Sequence, residues 1–214
     1  MIKQISPLPE FLVTRYKKWK SSSFLENANH FKQLASFGQK PTSMVISCCD
    51  SRVHATSIFV ADAGEFFIYR NIANLVPPYS TDSENDGTSA AIEYAVKELK
   101  IKHLIILGHK DCGGIKSGHR IYSGNLDPDY EFINKWLSFI LPAFNNISKN
   151  ISKEKQIEQL EEESIKVSIK NLFSFPFVKK VVESKKLSIH GLIYDIGSGK
   201  IKFLNPLSEQ FEDL

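Results

Sequence analysis

Between residues 11 and 37, Leu12, Tyr16, Trp19, Phe24, Leu25, Phe31 and Leu34 recur at helical intervals among Lys, Arg, Ser and Asn. That spacing predicts one or two amphipathic helices ahead of the core. The pattern then changes. Met44-Val45-Ile46, Phe66-Phe67-Ile68-Tyr69 and Leu104-Ile105-Ile106-Leu107 are short unbroken apolar runs. Strands buried on both faces read this way, so these three are expected at the centre of a parallel sheet. Between the second and third, Asp86-Gly87-Thr88-Ser89 offers N-cap oxygens, and Ile92, Ala95, Val96 and Leu99 share one helical face. A crossover helix is expected there, entered from a loop that includes Pro77-Pro78-Tyr79 and the polar residues 80–85.

Residues 129–144 read as another helix, with Trp136, Ile140 and Phe144 on one side. Residues 149–172 are the most charged part, with Ile157, Leu160, Ile165, Ile169 and Leu172 as an apolar stripe. The expectation is a long, mostly solvated helix whose Glu161-Glu162-Glu163 run needs no function. Glu162 and Lys166, four apart, would support it by about 0.2–0.5 kcal/mol. Residues 187–194 and 200–204 flank Gly197-Ser198-Gly199, a strand–turn–strand hairpin. Gly199-Lys200 is not a phosphate loop, because Tyr194 and Ile201 occupy positions where that motif needs Gly and Ser or Thr. The fold class expected is α/β: a mostly parallel central sheet, about four parallel strands plus an antiparallel edge strand, flanked by helices. One domain is expected, with a helical arm over 1–40, the core over 41–206 and a tail over 207–214.

Charge and cysteine content narrow the function. Of 214 residues, 27 are Lys or Arg and 24 are Asp or Glu, a net charge of +3 spread along the chain, so nucleic acid is not an expected partner. Residues 1–10 carry Pro7 and Pro9 without a long apolar stretch, and nowhere do eighteen apolar residues run together. No membrane association and a cytoplasmic location are expected. Three cysteines are too few, and odd in number, for a disulfide framework.

Two segments carry the chemistry. Cys48-Cys49-Asp50-Ser51-Arg52 closes one apolar run and Gly108-His109-Lys110-Asp111-Cys112-Gly113-Gly114 closes another. Both would lie beyond the carboxyl ends of neighbouring parallel strands, where open α/β sheets place their sites. Thiolates from Cys48 and Cys112 with the His109 imidazole make a Cys2His set, which suits zinc and leaves a fourth position for water. An extended chain through the first motif would put Cys48, Asp50 and Arg52 on one face and turn Cys49 into the protein body as a small packing residue. Asp50 and Arg52 can form a bidentate, charge-assisted pair. Two thiolates neutralise the dication, so its water should be a weak acid and activity should rise toward alkaline pH.

C-x-D-S-R-V over Cys48–Val53 and G-H-x-x-C-G-G over Gly108–Gly114 resemble the beta-class carbonic anhydrases, in particular their plant-like branch. The segments 70–78, 89–95 and 191–195 are also similar to family segments, so the resemblance runs from about Phe11 to Leu204. It implies reversible hydration of CO2 to bicarbonate with one Zn2+ per chain on Cys48, His109 and Cys112, and an Asp50–Arg52 dyad that orients the reacting water. It further implies substrate contacts from Gln39, from an apolar wall of Phe67, Ile72 and Tyr94, and from the Gly113 amide. A homodimer or dimer-based higher oligomer is implied, with Gln39 and the wall meeting across its interface.

Cys49 stands where serine is commoner in the family, and Val45 where a bicarbonate-regulated branch has tryptophan. An open metal site without that regulation is the expectation. In some relatives the dyad aspartate closes onto the metal at low pH, an alternative left open. His54, two residues past Arg52, is of a type suited to relaying a proton, and an ordinary surface histidine is the competing reading. Two other functions compete: the same scaffold acting on carbonyl sulfide or carbon disulfide, and a structural zinc or thiol-redox protein, which would generally want a fourth protein ligand.

Overall fold

The computed structural model describes residues 5–81, 87–125 and 130–214. Its contacts cluster into two units, Met1–Lys40 and Pro41–Leu214. The first holds α1 (Glu10–Ser21), α2 (Ser23–Glu26) and α3 (Ala28–Phe37), three helices where one or two were expected, because the chain breaks after Ser21 and again at Asn27. None of their residues is buried. Trp19, Phe24 and Phe31 gather into a small aromatic cluster, with Phe24 and Phe31 stacked at 5.3 Å.

The second unit is built on a six-stranded sheet in the order β2-β1-β3-β4-β5-β6. β1 (Ser43–Cys48), β2 (Phe66–Asn71), β3 (His103–His109) and β4 (Ser188–Tyr194) are parallel. β5 (Ile201–Leu204) turns back against β4 across the 197–199 turn, as the hairpin reading expects. Beyond it, β6 (Phe211–Asp213) adds a short antiparallel edge that the apolar pattern did not announce. Residues Ser43 to Cys48 are all buried, the mark of a central strand covered on both faces.

Between the strands lie α4 (Ala55–Ile58) and α5 (Gly87–Glu93), the latter continuing as a π-helical turn over Tyr94–Glu98. This is the expected crossover; its Asp86 cap and residues 82–85 of the loop before it fall outside the described residues. Then follow α6 (Gly113–Tyr122), α7 (Glu131–Trp136), a 3-10 turn over Leu137–Ile140, α8 (Leu141–Asn146), α9 (Lys153–Leu172) and α10 (Pro176–Glu183). The expected helix over 129–144 is thus three short pieces, and its start at Asp129 lies outside the described residues. Among the described residues no helix is long and apolar enough to cross a membrane.

α9 corrects the sequence reading. It packs on β3 and β4, and Leu160, Glu161, Ser164, Ile165, Ser168 and Leu172 are all buried. Lys166 pairs with Glu163 at 2.8 Å, while Glu162 faces Lys202 at 3.9 Å instead of Lys166. Small and polar residues hid the inner face, since Ser164, Ser168 and Glu161 do not register as hydrophobic. The strand order places β1 beside both β2 and β3, so the chain leaves β1 and β3 on opposite sides and opens a crevice at their carboxyl ends. That crevice is where Cys48 and His109 end their strands.

Candidate metal centre

Cys48 is the last residue of β1 and His109 the last of β3, while Cys112 caps the start of α6. The turn between the last two takes Asp111 through a left-handed conformation at φ 64. All three side chains are buried, and one donor atom from each falls within 4.8 Å of the others. The sulfurs of Cys48 and Cys112 are 3.8 Å apart. Two zinc–sulfur bonds of ~2.3 Å at a tetrahedral angle span about 3.8 Å, so the pair has the separation a shared zinc ion needs. His109 Nδ1 lies 2.9 Å from the Lys110 carbonyl and donates to it, which fixes the tautomer and leaves Nε2 with a lone pair. Nε2 is buried and has no hydrogen-bond partner among the described residues. An orphaned acceptor facing two thiols is a donor set awaiting a cation, and the residues fit zinc.

Electrostatics agree. The thiols share a proton: a hydrogen bond from Cys112, helped by His109, holds Cys48 down to about 4 against the cost of burial. The same bond and burial push Cys112 well up. Asp50 Oδ2 is 3.8 Å from His109 Nε2, beyond hydrogen-bond reach. Its carboxylate is gripped by Arg52, with Nε donating to Oδ1 at 2.9 Å and Nη2 to Oδ2 at 2.7 Å. That fork, with the Arg52 backbone amide at 3.0 Å, holds the Asp50 carboxyl far below the usual carboxylate range. The bidentate pair expected from the sequence is present.

Cys49 is a correction: it is exposed. Regular alternation stops at Cys48, because the Cys49 amide bonds to the Asn71 carbonyl and the chain turns at Ser51 and Arg52. The Cys49 side chain instead lines an open apolar groove of about 620 Å3 with Ile72, Phe132 and Trp136. Ile72 also borders the centre. A Cβ on Gly114 would stand 2.8 Å from Ile72 Cγ2 and 2.9 Å from Ala73 Cβ, so only glycine lets α6 start this close to the 72–74 turn. Phe67 and Tyr94 face each other with ring centroids 5.8 Å apart. Gly113 opens α6, and Gln39 belongs to the arm unit. His54 is exposed, its Nδ1 2.7 Å from Thr56 Oγ1.

Two positioning residues escaped residue-type reasoning. Arg70 donates to the carbonyls of Cys48, Asp50 and Val53, at 3.0, 2.7 and 2.9 Å, and so pins the loop that carries both ligand and dyad. Glu161, reaching in from α9, accepts the Cys112 amide at 3.0 Å. Burial pushes its carboxyl up to about 7. An interior arginine one strand away and a glutamate inside a charged run give no local signal of either role.

The comparisons with known proteins converge on one class of enzyme. The carbonic anhydrase family model matches residues 43–201, and beta carbonic anhydrase 3 of Arabidopsis thaliana is 36% identical over 193 residues, 89% of this chain and 74% of the relative. The chain belongs to the beta-class carbonic anhydrase family. Among solved structures, the beta-carbonic anhydrase CcaA superposes with a TM-score of 0.89 at 29% identity, covering 96% of this chain and 91% of that one. A tetrameric beta-carbonic anhydrase of the ascomycete Sordaria macrospora gives 0.77 at 28% identity, covering 91% and 95%. A structural-zinc or thiol-redox role is not favoured, since the family that matches is one of enzymes.

Proposed function

We propose that this chain reversibly hydrates CO2 to bicarbonate, with one zinc ion held by Cys48 Sγ, His109 Nε2 and Cys112 Sγ. One observation carries the reading: two sulfurs at tetrahedral separation beside a buried imidazole nitrogen that has no hydrogen-bond partner among the described residues. Bound there, zinc supplies a Lewis acid that makes water nucleophilic near neutral pH. The rest is the work of the chain. Asp50, ionised and gripped by Arg52, accepts a hydrogen bond from the reacting water and aims its lone pair at carbon. Arg70 keeps that dyad at the right height by holding the loop beneath it. Ile72, Phe67 and Tyr94 give CO2 an apolar wall, the Gly113 amide takes a substrate oxygen, and Gln39 meets that wall across the interface of the proposed dimer. His54 passes the released proton outward.

Because Asp50 Oδ2 is held by Arg52 and stays 3.8 Å from His109 Nε2, the open form of the site is the working form. The assembly we propose is a homodimer or a multiple of it, a reading supported by the tetrameric Sordaria relative and by an arm whose helices bury nothing. A reducing, cytoplasmic setting suits three free thiols. Stopped-flow CO2 hydration with metal analysis tests the function. Asp50→Asn is expected to keep one zinc per chain and lose most turnover, whereas wild-type protein that is zinc-loaded yet inactive would overturn the reading.

A further inference from the structure

At the opposite edge of the sheet from the metal centre lies a groove of about 810 Å3, lined by six lysines, 97, 100, 102, 180, 185 and 186, and, among the described residues, by no acidic one. They come from three places: the end of the π-helical turn, the start of β3 and the end of α10. Lys97 pairs with Glu93, but no described carboxylate pairs with the other five. Five uncompensated ammonium groups around one concavity repel each other and raise the local potential for anions. The floor is apolar. Ile101 is buried there, and Phe177 and Val181 are half-buried against the main core. Lys97 Nζ lies 4.7 Å from the centre of the Phe177 ring, where the charged rim meets that floor.

The backbone adds a separate observation. Lys100 and Lys185 both sit in the left-handed region, at φ 52 and 58. Each follows the end of a helix. Lys185 donates to Val182 O and Lys186 to Val181 O, the pattern of a helix stop whose left-handed position normally carries Gly or Asn. A side chain at such a position costs free energy that glycine does not. Helix carbonyl ends favour cations, but any lysine of the last turn serves them, and none has to occupy the strained residue. At both strained stops the chain carries a lysine aimed at the same concavity. Backbone strain retained in this way is commonest where a ligand is held.

We propose that this groove binds a small polyphosphate carried on a ring-bearing body, the chemical class of a nucleoside triphosphate. Its volume lies within the range of small-molecule sites. The lysines match a ligand of several negative charges, and Ile101, Phe177 and Val181 cover the ring. β3 runs from His103, on the groove, to His109 at the metal centre, a span of about 20 Å at ~3.3 Å per residue. Binding there is therefore separate from CO2 chemistry.

Isothermal titration of the full-length, zinc-loaded protein with ATP, inorganic triphosphate and phosphatidylserine vesicles tests the proposal. ATP is expected to bind more tightly than triphosphate, with an affinity that falls as salt rises. The double variant Lys100→Gly, Lys185→Gly should weaken ATP binding by about tenfold or more, the loss expected for a charge-assisted hydrogen bond. Its CO2 hydration should be unchanged and its melting temperature equal or higher, because glycine relieves the left-handed strain. A second pair, Lys180→Gln with Lys186→Gln, leaves the backbone alone and should weaken ATP binding too. The proposal is overturned by absence of ATP binding, by wild-type affinity in the second pair, by triphosphate binding as tightly as ATP, or by vesicle capture that ATP does not compete away.

Discussion

A carboxylate buried against Cys112, a cysteine that must become a thiolate, adds negative charge to a small, water-poor volume, so Glu161 has to be balanced by donors. The Cys112 amide, with that of Asp111, supplies them, and burial still lifts the carboxyl to about 7. Glu161→Leu would leave the Cys112 amide buried without an acceptor, a cost of about 1–3 kcal/mol. The expected outcome is faster zinc loss to a chelator, read with a colorimetric zinc dye, while Glu161→Gln keeps an acceptor oxygen and retains zinc nearly as well as the wild type. Asp50 makes a different case. A carboxyl held far below its usual range by Arg52 is ionised at every working pH. In Arg52→Gln it returns toward ~3.9 and is still ionised at neutrality. Removing the arginine therefore costs aim and not charge. The kcat of that variant should fall severalfold or more with the midpoint of its pH–rate profile unmoved; a midpoint displaced by a full pH unit would mean that Asp50 or Arg52 sets the titration itself.

Among the elements, α9 meets the sheet where side chains are missing. A Cβ on Gly108 would stand 2.7 Å from Ile165 Cδ1, and one on Gly191 would stand 2.9 Å from Ile165 Cγ2 and 3.0 Å from Ile169 Cδ1. Gly108→Ala is expected to destabilise by about 1–3 kcal/mol in urea unfolding. Ile165→Val removes the offending Cδ1, so the double variant should recover part of that loss, and strict additivity would show that the contact is not what matters. The same helix marks the limit of what could be read beforehand. Its stripe of Leu160, Ile165, Ile169 and Leu172 was legible, and so were the strands that end in Cys48 and His109, because each obeys a simple periodicity. Glu161 was not, since a buried carboxylate in a charged run looks solvated until its partner amide is known. Cys49 failed for the opposite reason: alternation was extended one residue past the point where β1 stops pairing. Arg70 gave no sign because its partners are backbone carbonyls on another segment.

For the whole molecule, the outstanding fact is an arm ordered as three helices of which none holds a fully buried residue. Ordering about 30 residues costs on the order of 1–2 kcal/mol each in backbone entropy, and helices this short are marginal in water. The Trp19–Phe24–Phe31 cluster is too small to offset that. Meanwhile Phe11, Leu12 and Tyr16 remain 56, 43 and 55% exposed on α1. Apolar residues left open on an element that cannot stand alone point to a covering surface, and a second copy of the chain is the occupant the proposed dimer provides. For an isolated monomer, Leu12→Ser with Tyr16→Ser would be close to neutral, within about 0.5 kcal/mol per surface site. For a dimer sealed by the arm it removes buried area. Sedimentation equilibrium should find the wild type dimeric or larger at micromolar concentration and the double variant dissociating at higher concentrations. Identical association of the two proteins would release the arm from that role and leave the order of its helices needing another source.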